Sequence, residues 1–118
     1  MQRDPRAFLV DVVEAADAIQ DAVREISLDQ YQTNRLVRSA VEREFIIIAE
    51  ALTNLSRLNP DLFSKVSQAP RIISFRNKIT HEYTKVDNAL VWGVIHTHLE
   101  PLRADCVELL SHSEAPES

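Results

Sequence analysis

Apolar residues in this chain recur at steps of three and four, not two. Phe8, Val12, Ala15, Ile19, Ala22 and Ile26 form one such stripe, the spacing of an amphipathic helix. Asp4 followed by Pro5 supplies an N-cap and a first helical residue, so the helix is predicted to start there. Asp11, Glu14, Asp17, Asp21 and Glu25 fall on its other side. A solvated face is the simpler reading of that acidic row, a surface that repels RNA or receives a basic partner the sharper one.

Ser27-Leu28-Asp29-Gln30 has the spacing of a capping box and opens the next helical segment. That segment is expected to begin as a short turn and to settle into a long helix near Asn34. Val37, Val41, Phe45, Ile48, Leu52 and Leu55 make one apolar stripe; Leu36, Ala40, Ile47, Ala51 and Leu58 make a second beside it. A helix apolar on two sides is either central in its own bundle or also buried in a dimer, and the small size of the chain favours a dimer. Asn59-Pro60 ends it. Residues 59–69 read as an irregular connection with one short turn, and Pro70 can open the following helix. Asp87 caps the last helix, whose apolar face runs Val91, Ile95, Leu99, Leu102, Cys106 and Leu109. Pro101 lies inside that pattern and is expected to kink or split it, because its ring meets the carbonyl four residues back.

The fold class predicted is therefore all-α, an up-and-down bundle of four to five helices. Residues 1–112 are assigned to one domain and 113–118 to a frayed polar tail. A single glycine in 118 residues supports this, since sheets with tight hairpins need several. One cysteine, Cys106, leaves no internal disulfide and no multi-cysteine metal site, which suits a cytoplasmic protein. The N-terminus does not read as a secretory signal, and no apolar run reaches the length of a membrane span. The net charge of −5 repels nucleic acid, so any RNA contact has to come from a local basic patch.

Such a patch exists. Between Arg71 and Lys85 the bases are Arg71, Arg76, Lys78 and Lys85, and the sole acid is Glu82. Within it, Arg76-Asn77-Lys78-Ile79-Thr80-His81-Glu82-Tyr83 gathers a guanidinium, an amide, an imidazole and a phenol. A guanidinium is a fixed cation whose planar donors match phosphate oxygens. An imidazole titrates near neutrality and suits proton transfer. On an ideal wheel of ~100° per residue, Thr80 and Tyr83 fall within about 40° of Arg76. Asn77 and His81, one turn apart, lie roughly 100–140° round. Arg76 and His81 would then flank a substrate without pairing with each other. Ile72, Phe75 and Ile79 form the core stripe of the same helix. Spacing alone does not separate this arrangement from ordinary surface residues, and Tyr83 could be a rim residue with its hydroxyl in water.

Other candidates are weaker. His81-Glu82-Tyr83-Thr84-Lys85 starts like a zinc-protease helix but ends in lysine, so the second ligand is missing. His96 and His98 point to nearly opposite sides of a helix and cannot easily share an ion. His96, His98 and His112 read as ordinary polar residues, Trp92 as core, and Cys106 as inert packing.

Arg-Asn, then His after four intervening residues, then Tyr two further on, resembles the signature of the HepT family. These are HEPN-domain toxins of toxin–antitoxin systems. The resemblance extends to Phe8-Leu9-Val10-Asp11 with Glu14-Ala15, to Ile47-Ile48-Ala49-Glu50-Ala51 in the central helix, to Arg71-Ile72-Ile73, and to Val86-Asp87 with Val91-Trp92. Three departures stand out. Ala49 and Ser74 occupy positions where the family usually has glycine, and Gln68-Ala69-Pro70 replaces its usual Pro-Trp. None removes a catalytic residue.

The resemblance implies an HEPN-like bundle and the toxin of a type VII toxin–antitoxin system. It implies a metal-independent endoribonuclease acting as a homodimer, with no cofactor. Arg76 and His81 would be the catalytic pair and Asn77 a positioning residue; the basic strip itself makes Arg71, Lys78 and Lys85 the candidate RNA contacts. The resemblance further implies a minimal nucleotidyltransferase antitoxin resembling MntA, which would AMPylate Tyr83. The alternative is a non-catalytic nucleotide- or RNA-binding partner subunit of a nucleotidyltransferase. A second alternative is a bare helical adapter.

Overall fold

Helix ends in this molecule are set mostly by short-range hydrogen bonds. The structure, a computed structural model, describes residues 3–81 and 86–113. Helix α1 spans Pro5–Val23 and starts where the Asp4 carboxylate accepts from the Arg6 backbone N–H. Helix α2, Leu28–Thr33, carries the predicted capping box: Ser27 Oγ accepts from the Gln30 N–H, and the Gln30 side chain accepts from the Ser27 N–H. The short segment does settle into a long helix at Asn34, whose side chain accepts from the Val37 N–H at 3.1 Å. That helix, α3, spans Arg35–Leu58 and is about 36 Å long at 1.5 Å per residue.

Asn59 ends α3 and caps α4, Pro60–Ser64, the one short turn of the connection. Helix α5 is Ala69–His81. Helix α6, Asn88–Thr97, is capped by Asp87, which accepts from the Ala89 and Leu90 N–H groups. Helix α7 is Leu99–Ser113. The last helix of the sequence pattern is thus split at His98, one turn before Pro101, where the proline ring cannot accommodate a continuous helix. Residues 114–118 of the expected tail lie outside the described residues.

Each long helix buries most of the stripe read from the sequence; Ala22, Val37 and Leu109 are half-buried, and Ile26 lies beyond the end of α1. Phe8, Leu9, Val12, Ala15, Ala16 and Ile19 of α1 meet Val41, Phe45, Ile48, Leu52 and Leu55 of α3, and α7 closes over α1 with Leu99, Leu102 and Cys106. Helix α5 packs on α3 through Ile72, Phe75 and Ile79, with Phe75 edge-on to Phe45 at 5.1 Å between ring centroids. Four long elements, α1, α3, α5 and the bent α6–α7, make the bundle; α2 and α4 are connectors. Tyr31 pins α2 against Trp92 of α6 with ring centroids 5.5 Å apart. Trp92 is half-buried and packs against the core, which fits its reading as core, and its ring lies tilted against His96.

The acidic row of α1 is partly paired. Asp17 accepts from Arg103 of α7 at 2.6 Å, Asp11 meets Arg3 at 2.8 Å, and Asp21 meets Arg24. Elsewhere Ser67 donates twice to Asp105 and ties the α4–α5 connection to α7. The second apolar stripe of α3 divides: Ala51 is buried, Ile47 and Leu58 are half-buried, and Leu36 and Ala40 are exposed, Leu36 at 82 %.

Candidate active site

Helix α5 continues through His81, so Arg76, Asn77 and His81 sit on one unbroken helix, as the wheel requires. Its last turn is braced by the Thr80 hydroxyl, which bonds the carbonyls of Arg76 and Asn77. The core stripe Ile72, Phe75 and Ile79 faces inward. Residues on either side of that stripe are turned toward different neighbours.

Arg76 lies on the flank toward α3. Its side chain is half-buried, and Nη2 lies 3.6 Å from Glu50 Oε2. That is longer than a strong charge-assisted hydrogen bond, and pairs this exposed contribute little, on the order of 0–1 kcal/mol. The Arg76 Nε is covered and has no hydrogen-bond partner among the described residues. Beside it is a concavity of ≈ 320 Å³ lined by Glu50, Thr53, Asn54, Arg57 and Arg76. Asn77 and His81 are exposed on the outward face of the same helix.

Arg71 and Lys78 are on the opposite flank. They rim a groove of ≈ 570 Å³ between α5 and α6 with Pro70, Ser74, Phe75, Leu90, Val94 and His98. Lys78 also borders a smaller hollow of ≈ 200 Å³ beside Val86 and Asp87. Among the described residues the basic strip of the sequence is therefore divided, with Arg76 on one side of α5 and Arg71 and Lys78 on the other. Tyr83 and Lys85 lie outside the described residues.

Two charged residues that spacing along α5 could not reveal, Glu50 and Arg57, line the same concavity as Arg76. The signal was present in α3: Glu50, Thr53, Asn54 and Arg57 are polar at i, i+3, i+4 and i+7 on a helix otherwise rich in apolar residues. Among the described residues no group of three or more His, Cys, Asp or Glu is placed to hold a metal ion. His96 Nδ1 is bonded to the Trp92 carbonyl, and His112 lies beside Glu108. No helix among the described residues is long and apolar enough to cross a membrane.

An all-α bundle whose third long element carries Arg-Asn and, four residues on, His has the form of an HEPN domain. Residues 12–109 match the family model described as ribonuclease HepT-like, and the chain belongs to that family. Curated relatives agree. A protein of Methanocaldococcus jannaschii, provisionally named an RNase, is 29 % identical over 107 residues, covering 88 % of this chain and 94 % of its own. A second from the same organism, named likewise, is 28 % identical over 96 residues, covering 80 % and 77 %. A protein of Thermococcus cleftensis, provisionally named ribonuclease HepT, is 27 % identical over 107 residues, covering 87 % and 93 %. No solved structure gives a significant match.

Proposed function

We propose that this protein is a metal-independent endoribonuclease, the toxin of a type VII toxin–antitoxin system, acting as a homodimer. The observation that carries the reading is α5 itself. One rigid helix holds Arg76 at the wall of a polar concavity and His81 exposed five residues further on, a cation and a proton carrier at fixed separation. Membership of the HepT-like ribonuclease family supports it.

In the proposed reaction the ribose 2′-OH attacks the adjacent phosphorus. His81 takes the hydroxyl proton as the 2′-O–P bond forms, the P–O5′ bond breaks, and the leaving 5′ oxygen takes a proton from the resulting imidazolium or from water and ends as a hydroxyl. Arg76 stabilises the charge that develops on the non-bridging oxygens, and Asn77 positions the imidazole or a phosphate oxygen. The products carry 2′,3′-cyclic phosphate and 5′-hydroxyl ends, and DNA is spared because it lacks the nucleophile. The exposed Leu36 and Ala40 of α3 supply apolar surface for a second copy, which would bring two motifs to one cleft. A nucleotidyltransferase antitoxin of the MntA type silences the toxin by AMPylating Tyr83, because anionic nucleotides there exclude RNA by volume and charge.

The test is RNA cleavage in EDTA by wild type and His81→Ala, with end-group analysis, on protein of known intact mass. Cleavage by wild type alone with cyclic phosphate ends is expected. A 5′-phosphate end or a strict metal requirement would sink the mechanism. An inactive, unmodified wild type would favour a non-catalytic partner of a nucleotidyltransferase; mass added in AMP units would mark a silenced toxin.

A further inference from the structure

We infer that the concavity between α3 and α5 is a phosphate pocket for the RNA strand, with Arg57 as its second cation and Glu50 as a displaceable counter-ion of Arg76. This deepens the ribonuclease reading and rests on it.

Glu50, Thr53, Asn54 and Arg57 share one face of α3, and Arg76 of α5 forms the wall opposite them. A polar stripe that merely met solvent would have no such wall. Two guanidiniums and one carboxylate face the hollow, which leaves it cationic on a protein of net charge −5. Arg57 is exposed and makes no ion pair with any described residue. Its charge is therefore available to an incoming anion.

Arg76 is not well satisfied where it rests. Its Nε lacks an acceptor, and its contact with Glu50 is long and loose. A buried donor without a partner is costly, and a hydrogen bond to a charged group is worth more than one between neutral groups. A modest shift of the Arg76 side chain onto a phosphate would give the guanidinium the acceptors it lacks. Glu50, with 60 % of its side chain exposed, can swing into water as the anion enters. Thr53 already donates to the Ala49 carbonyl at 2.8 Å. The half-buried Asn54 amide lines the concavity as a neutral donor. Glu50 is thus a positioning residue: it is a weak resting partner for Arg76 and competes with the substrate for it.

Steady-state RNA cleavage, paired with the salt dependence of binding to single-stranded DNA of the same sequence, tests this. The DNA carries the phosphates but cannot be cut. Arg57→Ala is expected to raise KM roughly tenfold with kcat little changed, and to reduce the slope of log K against log salt by about 0.7. Arg57→Lys should restore the slope, and Arg57→Gln, which keeps the side-chain bulk, should behave like Arg57→Ala. Glu50→Gln should lower KM by roughly two- to fivefold at unchanged kcat. An unchanged KM and salt slope in Arg57→Ala would overturn the pocket. A loss of kcat in Glu50→Gln would overturn the role given to Glu50. Wild type that fails to cut RNA, or cutting that survives His81→Ala, would overturn the ribonuclease reading instead, and the DNA slopes would still decide the pocket.

Discussion

Tyr31 is a place where the fold carries a defect that a single oxygen atom defines. Its ring is fully buried between α2, α3 and α6, and its hydroxyl has no hydrogen-bond partner among the described residues. A buried hydroxyl without a partner loses its water and gets nothing in exchange, at a cost of about 1–3 kcal/mol. Tyr31→Phe removes that oxygen and keeps the ring against Trp92. The expected result is a gain of about 1 kcal/mol, the low end of that range. For a domain of this size that is roughly 4 °C in Tm. Tyr31→Ala, by contrast, leaves a hole and should cost about 3–5 kcal/mol. Burial also pushes the Tyr31 phenol well above its ordinary value of 10.0, with the Glu42 carboxylate adding to the shift. The folded state then holds the phenolic proton more tightly than the unfolded chain. Wild-type stability should fall as pH rises above 10, and the advantage of Tyr31→Phe should widen there. Urea melts at pH 7 and pH 10.5 read both effects. A Tyr31→Phe protein less stable than wild type by 1 kcal/mol or more would refute the reasoning, because it would mean the hydroxyl is bonded in the folded state.

Two further predictions concern the last two helices. Gly93 lies inside α6 with nothing within 4 Å of where a Cβ would stand, so Gly93→Ala should stabilise the protein by about 0.5–1 kcal/mol in a thermal or urea melt; a loss would show that this face of α6 is covered by something else. Burial pushes the Cys106 thiol up to about 12 from 9.0. The folded state therefore favours the protonated thiol, stability attributable to it declines as pH rises from 9 toward 12, and Cys106→Ala should show a shallower alkaline decline in denaturant melts; native Cys106 should also resist alkylation at pH 8, in keeping with its burial.

Much of the helical framework was legible in one dimension because it depends on neighbours a few residues apart. Asp4, Ser27 with Gln30, Asn34 and Asp87 each meet backbone donors two or three positions on, and such bonds are readable from spacing. The break before Pro101 fits its covalent geometry, since the proline ring meets the carbonyl four residues back. The core stripes of α1, α3 and α5 were equally readable, since a helix that buries one face must carry its apolar residues at three- and four-residue steps.

The surroundings of Arg76 were not readable in this way. A helical wheel orders the residues of α5 by angle, but it does not say which helix lies on either flank. The run of bases from Arg71 to Lys85 therefore read as one patch, whereas packing turns Arg76 toward α3 and turns Arg71 and Lys78 toward α6. Glu50 and Arg57 belong to a different helix and reach Arg76 only because α5 folds back onto α3 through Phe45 and Phe75. The helices and their ends could be read along the chain, as could the cluster of side chains whose chemistry suits a phosphate and a proton, because these depend on local bonding and side-chain type. The partition of the cations between two grooves, and the carboxylate and second guanidinium facing Arg76, were decided by tertiary structure, because they depend on which apolar stripes find each other.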